Sequence, residues 1–192
     1  KHKIVRIILE NNDEIFIELN KEGKMIKIID NYIKEIPDYY LIYNNDLEYF
    51  ECKNATKIGD LVLNYNRKMK MVNIPKVKII GSFFLFINET AKIINAKNVE
   101  IIGHNCLANN RELLVANFPE LIEVGISFLS LNEKLIVLNC PKIRETAHCF
   151  VNSAKSLKVI VCPYLPSKDF NIIKGNNKNS TIITRVKKIK RK

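Results

Sequence analysis

The sequence predicts a repeat solenoid of the α/β class, and three observations predict it. A twenty-two-residue period runs through the chain without insertion, in blocks starting at Met25, Leu47, Met69, Ala91, Leu113, Leu135 and Leu157. Within each block an apolar pattern of strand spacing is followed by a second apolar pair and usually a glycine. The two ends depart from the pattern, as the caps of a solenoid do. A fixed period of this length marks one supersecondary unit that buries its apolar face only against its neighbours.

Ahead of the first block, Ile4 to Leu9 and Ile15 to Leu19 flank Asn11-Asn12-Asp13. Two β-branched runs around a turn sequence read as a hairpin, so residues 1–24 are predicted to form an N-terminal β-hairpin cap over the first coil. Residues 25–165 form the solenoid, six full repeats and a partial seventh. Residues 166–192 form a C-terminal cap and basic tail.

In each block, positions 1, 4 and 6 are mostly apolar, as in Leu135, Leu138 and Cys140. Side chains alternate along a strand, so positions 4 and 6 point inward and positions 3 and 5 outward. Proline at position 7 (Pro75, Pro119, Pro141, Pro163) ends the strand by removing a ladder donor. Position 13 is Gly59, Gly81, Gly103 and Gly125, which calls for positive φ or a close backbone approach. The apolar positions 16 and 17, such as Phe84 and Leu85, predict a short helical or 3₁₀ turn on the convex side. Position 20 is asparagine in five consecutive blocks, from Asn44 to Asn132, and predicts an amide ladder serving the backbone of adjacent coils. The end blocks carry Pro37 and Ala147 at the glycine position, and Ala154 at the asparagine position.

Val72-Asn73-Ile74-Pro75 with Ile80-Gly81, and Ala116-Asn117-Phe118-Pro119 with Val124-Gly125, resemble the unit of the BspA-like leucine-rich repeats, L-x-x-I-x-L-P followed by I-G-x-x-A-F-x-x-C. The unit here is one residue shorter between the proline and the isoleucine-glycine pair, and asparagine stands where that family often has cysteine. The resemblance implies a leucine-rich-repeat right-handed superhelix with a concave parallel β-sheet. It also implies non-enzymatic recognition or adhesion, often at a cell surface.

The chain holds 31 basic and 20 acidic residues, a net charge of +11, with 47% apolar content. Residues 174–192 hold eight Lys or Arg and no acid, and taking those eight away leaves 23 bases against 20 acids. The solenoid itself is therefore nearly balanced. The tail residues Arg185, Lys187, Lys188, Lys190, Arg191 and Lys192 are a candidate polyanion-binding arm, and the rival reading is a solvated terminus or a capping strand over Thr181 to Val186. No apolar run is long enough to span a bilayer. Five cysteines form no extracellular framework. Cys52, Cys140 and Cys162 fall at the inward position 6, where reduced thiols act as small hydrophobes and lean toward a reducing compartment.

His104 and His148 share position 14 two blocks apart, with Cys106 and Cys149 nearby. Coils advance about 4.8 Å, so the two imidazoles lie roughly 10 Å apart, too far for one zinc with bonds of about 2 Å. No carboxylate pair, phosphate-cradling loop or nucleophile elbow is present. The sequence predicts no cofactor, no metal and no enzyme.

The candidate binding surface is the outward strand face, formed by Met71, Asn73, Ile93, Asn95, Val115, Asn117, Val137, Asn139 and Val159, with Lys70, Lys92, Lys97 and Lys158 at its rim. An aliphatic stripe beside a row of amides marks a protein-interaction surface. Its rival is a ladder that serves only the sheet. The predicted function is protein–protein recognition through this concave face. The alternatives are nucleic-acid or acidic-surface binding through the tail, or a spacer within a larger protein. Partner identity and oligomeric state are left open.

Overall fold

The computed structural model describes residues 2–166 together with Lys168, Asp169, Ile173, Ile182 and Ile183. It is a parallel β-solenoid of about six turns with almost no helix. The period holds as read. Positions in adjacent coils stack at a separation of 22 residues, and each coil has three sides.

The first side carries β3 (Met25–Asp30), β5 (Tyr49–Glu51), β7 (Met71–Asn73), β9 (Ile93–Asn95), β11 (Val115–Asn117), β13 (Val137–Asn139) and β14 (Val159–Val161). The second side carries β4 (Glu35–Ile36), β6 (Lys57–Ile58), β8 (Ile79–Ile80), β10 (Ile101–Ile102) and β12 (Glu123–Val124), paired in parallel and in register. Between the sides lies one continuous core. It includes Phe50, Val72, Ala116, Leu138 and Ile160 from position 4, and Cys52, Ile74, Phe118 and Cys140 from position 6.

The third side differs from the prediction. In coils one to six no helical or 3₁₀ turn covers positions 16 and 17, so the α part of the predicted α/β class is absent from these repeats. Instead, positions 15, 17 and 19 of coils one to six all adopt left-handed backbone, with φ between 48° and 62°. Between each pair of adjacent coils from one to six their amides form bonds that alternate in direction. Leu61 N–H donates forward to Ser82 O (2.8 Å), Leu63 N–H donates back to Tyr40 O (3.0 Å), and Tyr65 N–H donates forward to Phe86 O (3.0 Å). A left-handed non-glycine residue costs about 1–2 kcal/mol. Inter-coil bonding and burial of the position-17 side chains, Leu63 to Val151, offset that cost. This side thus satisfies its backbone between coils, where a helix would satisfy its own.

The glycine corner joins the second and third sides. None of the position-13 glycines has positive φ, which settles the two readings in favour of close approach. A Cβ on Gly103 would stand 2.7 Å from Gly81 C and 2.7 Å from Ser82 N, and one on Gly125 would stand 2.5 Å from Gly103 C. Where Ala147 replaces glycine, the second sheet has already ended, at β12.

The predicted asparagine ladder forms in coils two to five, whereas Asn44 in coil one is half-buried and bonds within its own coil, to Ile42 O. Asn66, Asn88, Asn110 and Asn132 are fully buried. Asn132 Nδ2 donates to Leu107 O (2.7 Å) and Leu129 O (3.0 Å), while its Oδ1 accepts from Asn110 N–H (2.5 Å).

The N-terminal residues form the predicted hairpin, β1 (Lys3–Ile8) and β2 (Glu14–Leu19). It joins the first sheet edge-on, in the order β1-β2-β3, and so extends the sheet. At the other end β15 (Ile182–Ile183) pairs in parallel with Val159 and Ile160, within the span predicted as a capping strand. Among the described residues no helix is long and apolar enough to cross a membrane.

Candidate functional site

All nine predicted face residues lie on the first side, at the outward positions 3 and 5 of coils three to seven. Strand alternation puts them there, because Val72, Ile94, Ala116, Leu138 and Ile160 between them face the core. Amides link the outward column from coil to coil. Asn73 Nδ2 donates to Glu51 Oε2, Asn95 Nδ2 to Asn73 Oδ1 and Asn139 Nδ2 to Asn117 Oδ1, each at 2.7 Å.

The face is not one continuous sheet. The ladder runs from β1 to β9, stops, and resumes from β11 to β15. Position-6 amides bond forward elsewhere, as in Ile74 N–H to Asn95 O (2.9 Å) and Phe118 N–H to Asn139 O (2.9 Å), but the Ala96 to Asn117 equivalent is missing. The amide column skips the same step. Position 6 changes there from Ala96 to Phe118, the largest volume step in that inward column. The Phe118 ring packs edge-on against Phe128 (5.6 Å, 69°). The second side and the turn side stay bonded across this level, as in Gly125 N–H to Ile102 O (2.8 Å) and Leu129 N–H to Cys106 O (3.1 Å).

Exposure of the face peaks at the seam. Ile93 is 53% and Val115 50% exposed, with Asn95 and Asn117 also exposed, whereas Met71, Asn73, Val137, Asn139 and Val159 are half-buried. The free strand amides and carbonyls at the seam lie beside these exposed side chains, where water can satisfy them. A shallow groove lined by Lys70, Met71, Thr90, Lys92, Ile93 and Glu112 opens beside it.

The amide column ends at the buried Glu51, which accepts from Asn73, from Tyr49 Oη (2.8 Å) and from Lys53 Nζ (2.9 Å). Burial alone would raise this carboxyl, but the hydrogen bonds from Lys53, Asn73 and Tyr49 outweigh it and hold it below the usual range. Burial, and then the bond to Glu51, pushes the Tyr49 phenol up to about 12. Lys27 Nζ sits over the Tyr49 ring at 4.7 Å and closes that end of the face.

The charged rim is paired along the stack. Lys68 meets Asp46 at 2.7 Å, Lys70 meets Glu48 at 2.6 Å, Lys78 meets Glu100 at 3.0 Å and Lys155 meets Glu133 at 2.6 Å. Each pair spans 22 residues. Exposed pairs of this kind contribute little stability, but they balance the rims locally. Of the other predicted rim lysines, Lys92, Lys97 and Lys158 are exposed. The tail residues Arg185, Lys187, Lys188, Lys190, Arg191 and Lys192 lie outside the described residues.

The histidine column has a structural place. Asp38, Asp60, Ser82 and His104 at position 14 each accept the backbone N–H of position 14 in the next coil, His104 through Nδ1 from Ile126 at 2.8 Å. Cys52, Cys106, Cys140 and Cys162 are buried free thiols, and Cys149 is half-buried. Burial pushes the Cys106 thiol up to about 12.

A second surface escaped the sequence reading. On the turn side of coils one to three, the left-handed positions and their neighbours turn Tyr39, Tyr43, Tyr65, Phe83 and Phe86 outward. Tyr39 is 62% and Tyr43 61% exposed. Tyr43 stacks on Tyr65 (5.1 Å, 25°), and Phe86 meets both Tyr65 and Phe83 edge-on. In coils four to six the same columns hold no aromatic residue: six of the nine positions are Asn or Ser, and the others are Ala108, Cys149 and the exposed Leu131. The sequence signal was the aromatic run in columns 15, 18 and 19.

No protein-family model matches this sequence, and no curated protein or solved structure matches it significantly.

Proposed function

We propose that this chain is a non-enzymatic recognition module that binds a protein partner through the centre of its first side. One observation carries the reading: Ile93, Asn95, Val115 and Asn117 form a contiguous exposed patch where the strand ladder is interrupted. Aliphatic and amide groups side by side match the mixed composition of a protein interface. The unit is read as a shortened leucine-rich repeat wound right-handed, on the strength of its L-x-x-I-x-L-P and I-G columns. A V115E/V137E double variant is expected to keep the wild-type unfolding midpoint and to lose the partner that the wild-type chain captures from extracts of its source cells. Loss of folding, or unchanged capture, contradicts the proposal.

A second surface is favoured by a specific observation, the stacked and exposed tyrosines of coils one to three. Tyrosine supplies large contact area at low entropic cost and is enriched at binding hot spots. If this surface carries the interaction, a Y39S/Y43S variant loses capture and V115E/V137E retains it.

A further inference from the structure

Cysteine occupies the inward position 6 in two consecutive coils, Cys140 and Cys162, and the strands before them, β13 and β14, are register partners up to Asn139 and Val161. Cys140 N–H donates to Val161 O at 3.0 Å, so the pairing continues to the cysteines themselves. Adjacent strands lie about 4.8 Å apart, inside the Cα separation of roughly 4.4–6.8 Å that a disulfide tolerates. Both side chains point into the core. Cys52, in the same column, stacks between Asp30 and Ile74 and has no such neighbour.

We propose that Cys140 and Cys162 form a reversible inter-coil disulfide that staples the last coil to the solenoid. The co-reactant is a small disulfide of the glutathione class. The Cys162 thiolate attacks one sulfur of oxidised glutathione and expels one glutathione thiolate. The Cys140 thiolate then attacks Sγ of Cys162 and expels the second. The two protons leave on the two glutathiones, so two protein thiols and one small disulfide become one protein disulfide and two small thiols.

The order of attack follows from the site. Cys162 is 2% exposed and belongs to the terminal coil, where local opening is easiest. A hydrogen bond from Cys140 lowers the Cys162 thiol, and donating that bond, together with burial, raises Cys140. Closing a loop of this length constrains the unfolded chain. The bond also ties down β14, the strand on which β15 rests.

The test incubates the folded 192-residue chain with oxidised glutathione. Under denaturing conditions the titratable thiols are expected to fall from the five in the sequence to three. Peptide mapping should show the Cys140–Cys162 link, with a rise in melting midpoint of roughly 5 °C that dithiothreitol reverses. Cys140→Ala and Cys162→Ala should each abolish the link. Five free thiols, a glutathione adduct alone, a bridge involving Cys149, or an intermolecular bridge would each overturn the proposal. The wild-type peptide map decides the matter even if a variant fails to fold.

Discussion

The strand side and the turn side of each coil face the same backbone problem and solve it differently. On the strand side, extended backbone bonds to its neighbours through a parallel ladder, and alternate side chains point in and out. On the turn side, residues in left-handed backbone send their amides alternately forward and back. Outward positions on the first side hold aliphatic and amide groups, and outward positions on the second of these hold aromatic groups in the early coils. The difference teaches that a solenoid can satisfy its backbone between coils on every side, leaving the outward columns free to vary. It also shows where backbone bonds link adjacent coils and where they do not. The turn side is bonded at each level from coil one to coil six, whereas the strand ladder is interrupted between β9 and β11.

The sharpest contrast pits two asparagine columns against each other. Asn132 is buried on the turn side and serves three backbone groups. Asn132→Ala strands those groups and is expected to cost about 4 kcal/mol in urea unfolding. Asn139 is half-buried on the strand side and bonds another side chain, so Asn139→Ala should cost less than about 1 kcal/mol. Equal effects would erase the distinction between a structural and a surface ladder.

The glycine corner comes next. Gly103→Ala forces a Cβ against the backbone of Gly81 and Ser82, and should cost about 3 kcal/mol. A tolerated alanine there would mean that the coils are further apart than described.

On the strand side, Glu51 links stability to pH. Its carboxyl lies below the usual range when folded, so its contribution is complete above the unfolded carboxylate value and is lost as pH falls through the folded one. The wild-type chain should therefore lose more stability than Glu51→Gln as the pH falls from 5 to 3, which acid-dependent urea unfolding of the two proteins would measure. Parallel pH profiles for the two proteins would show that the amide column ends on a neutral group.

Much of this was legible in the sequence because it depends on periodicity and residue size. The inward columns, the glycine corner and the asparagine ladder each demand a residue type, and Leu138, Gly103 and Asn110 supply it. The nine face residues were placed by alternation alone. The turn side was not legible, because a helical turn and a left-handed run both bury Phe84 and Leu85. Left-handed backbone ordinarily announces itself through glycine or asparagine. Here leucine, tyrosine and phenylalanine occupy it, so Tyr39 and Tyr43 could not be assigned to an outer surface. The seam was hidden for another reason. It coincides with a volume step between Ala96 and Phe118, residues that match the apolar column equally well.

The smallest expected effect is the most direct test of the helix-free turn side. Ser127 sits at φ 59°, and glycine adopts that conformation without the side-chain penalty. Ser127→Gly should therefore raise the stability measured by thermal and urea unfolding by about 1 kcal/mol. A helical turn at this position would give the opposite sign, a loss of about 0.5 kcal/mol, and that result would contradict the inter-coil backbone bonding on which the description of this side rests.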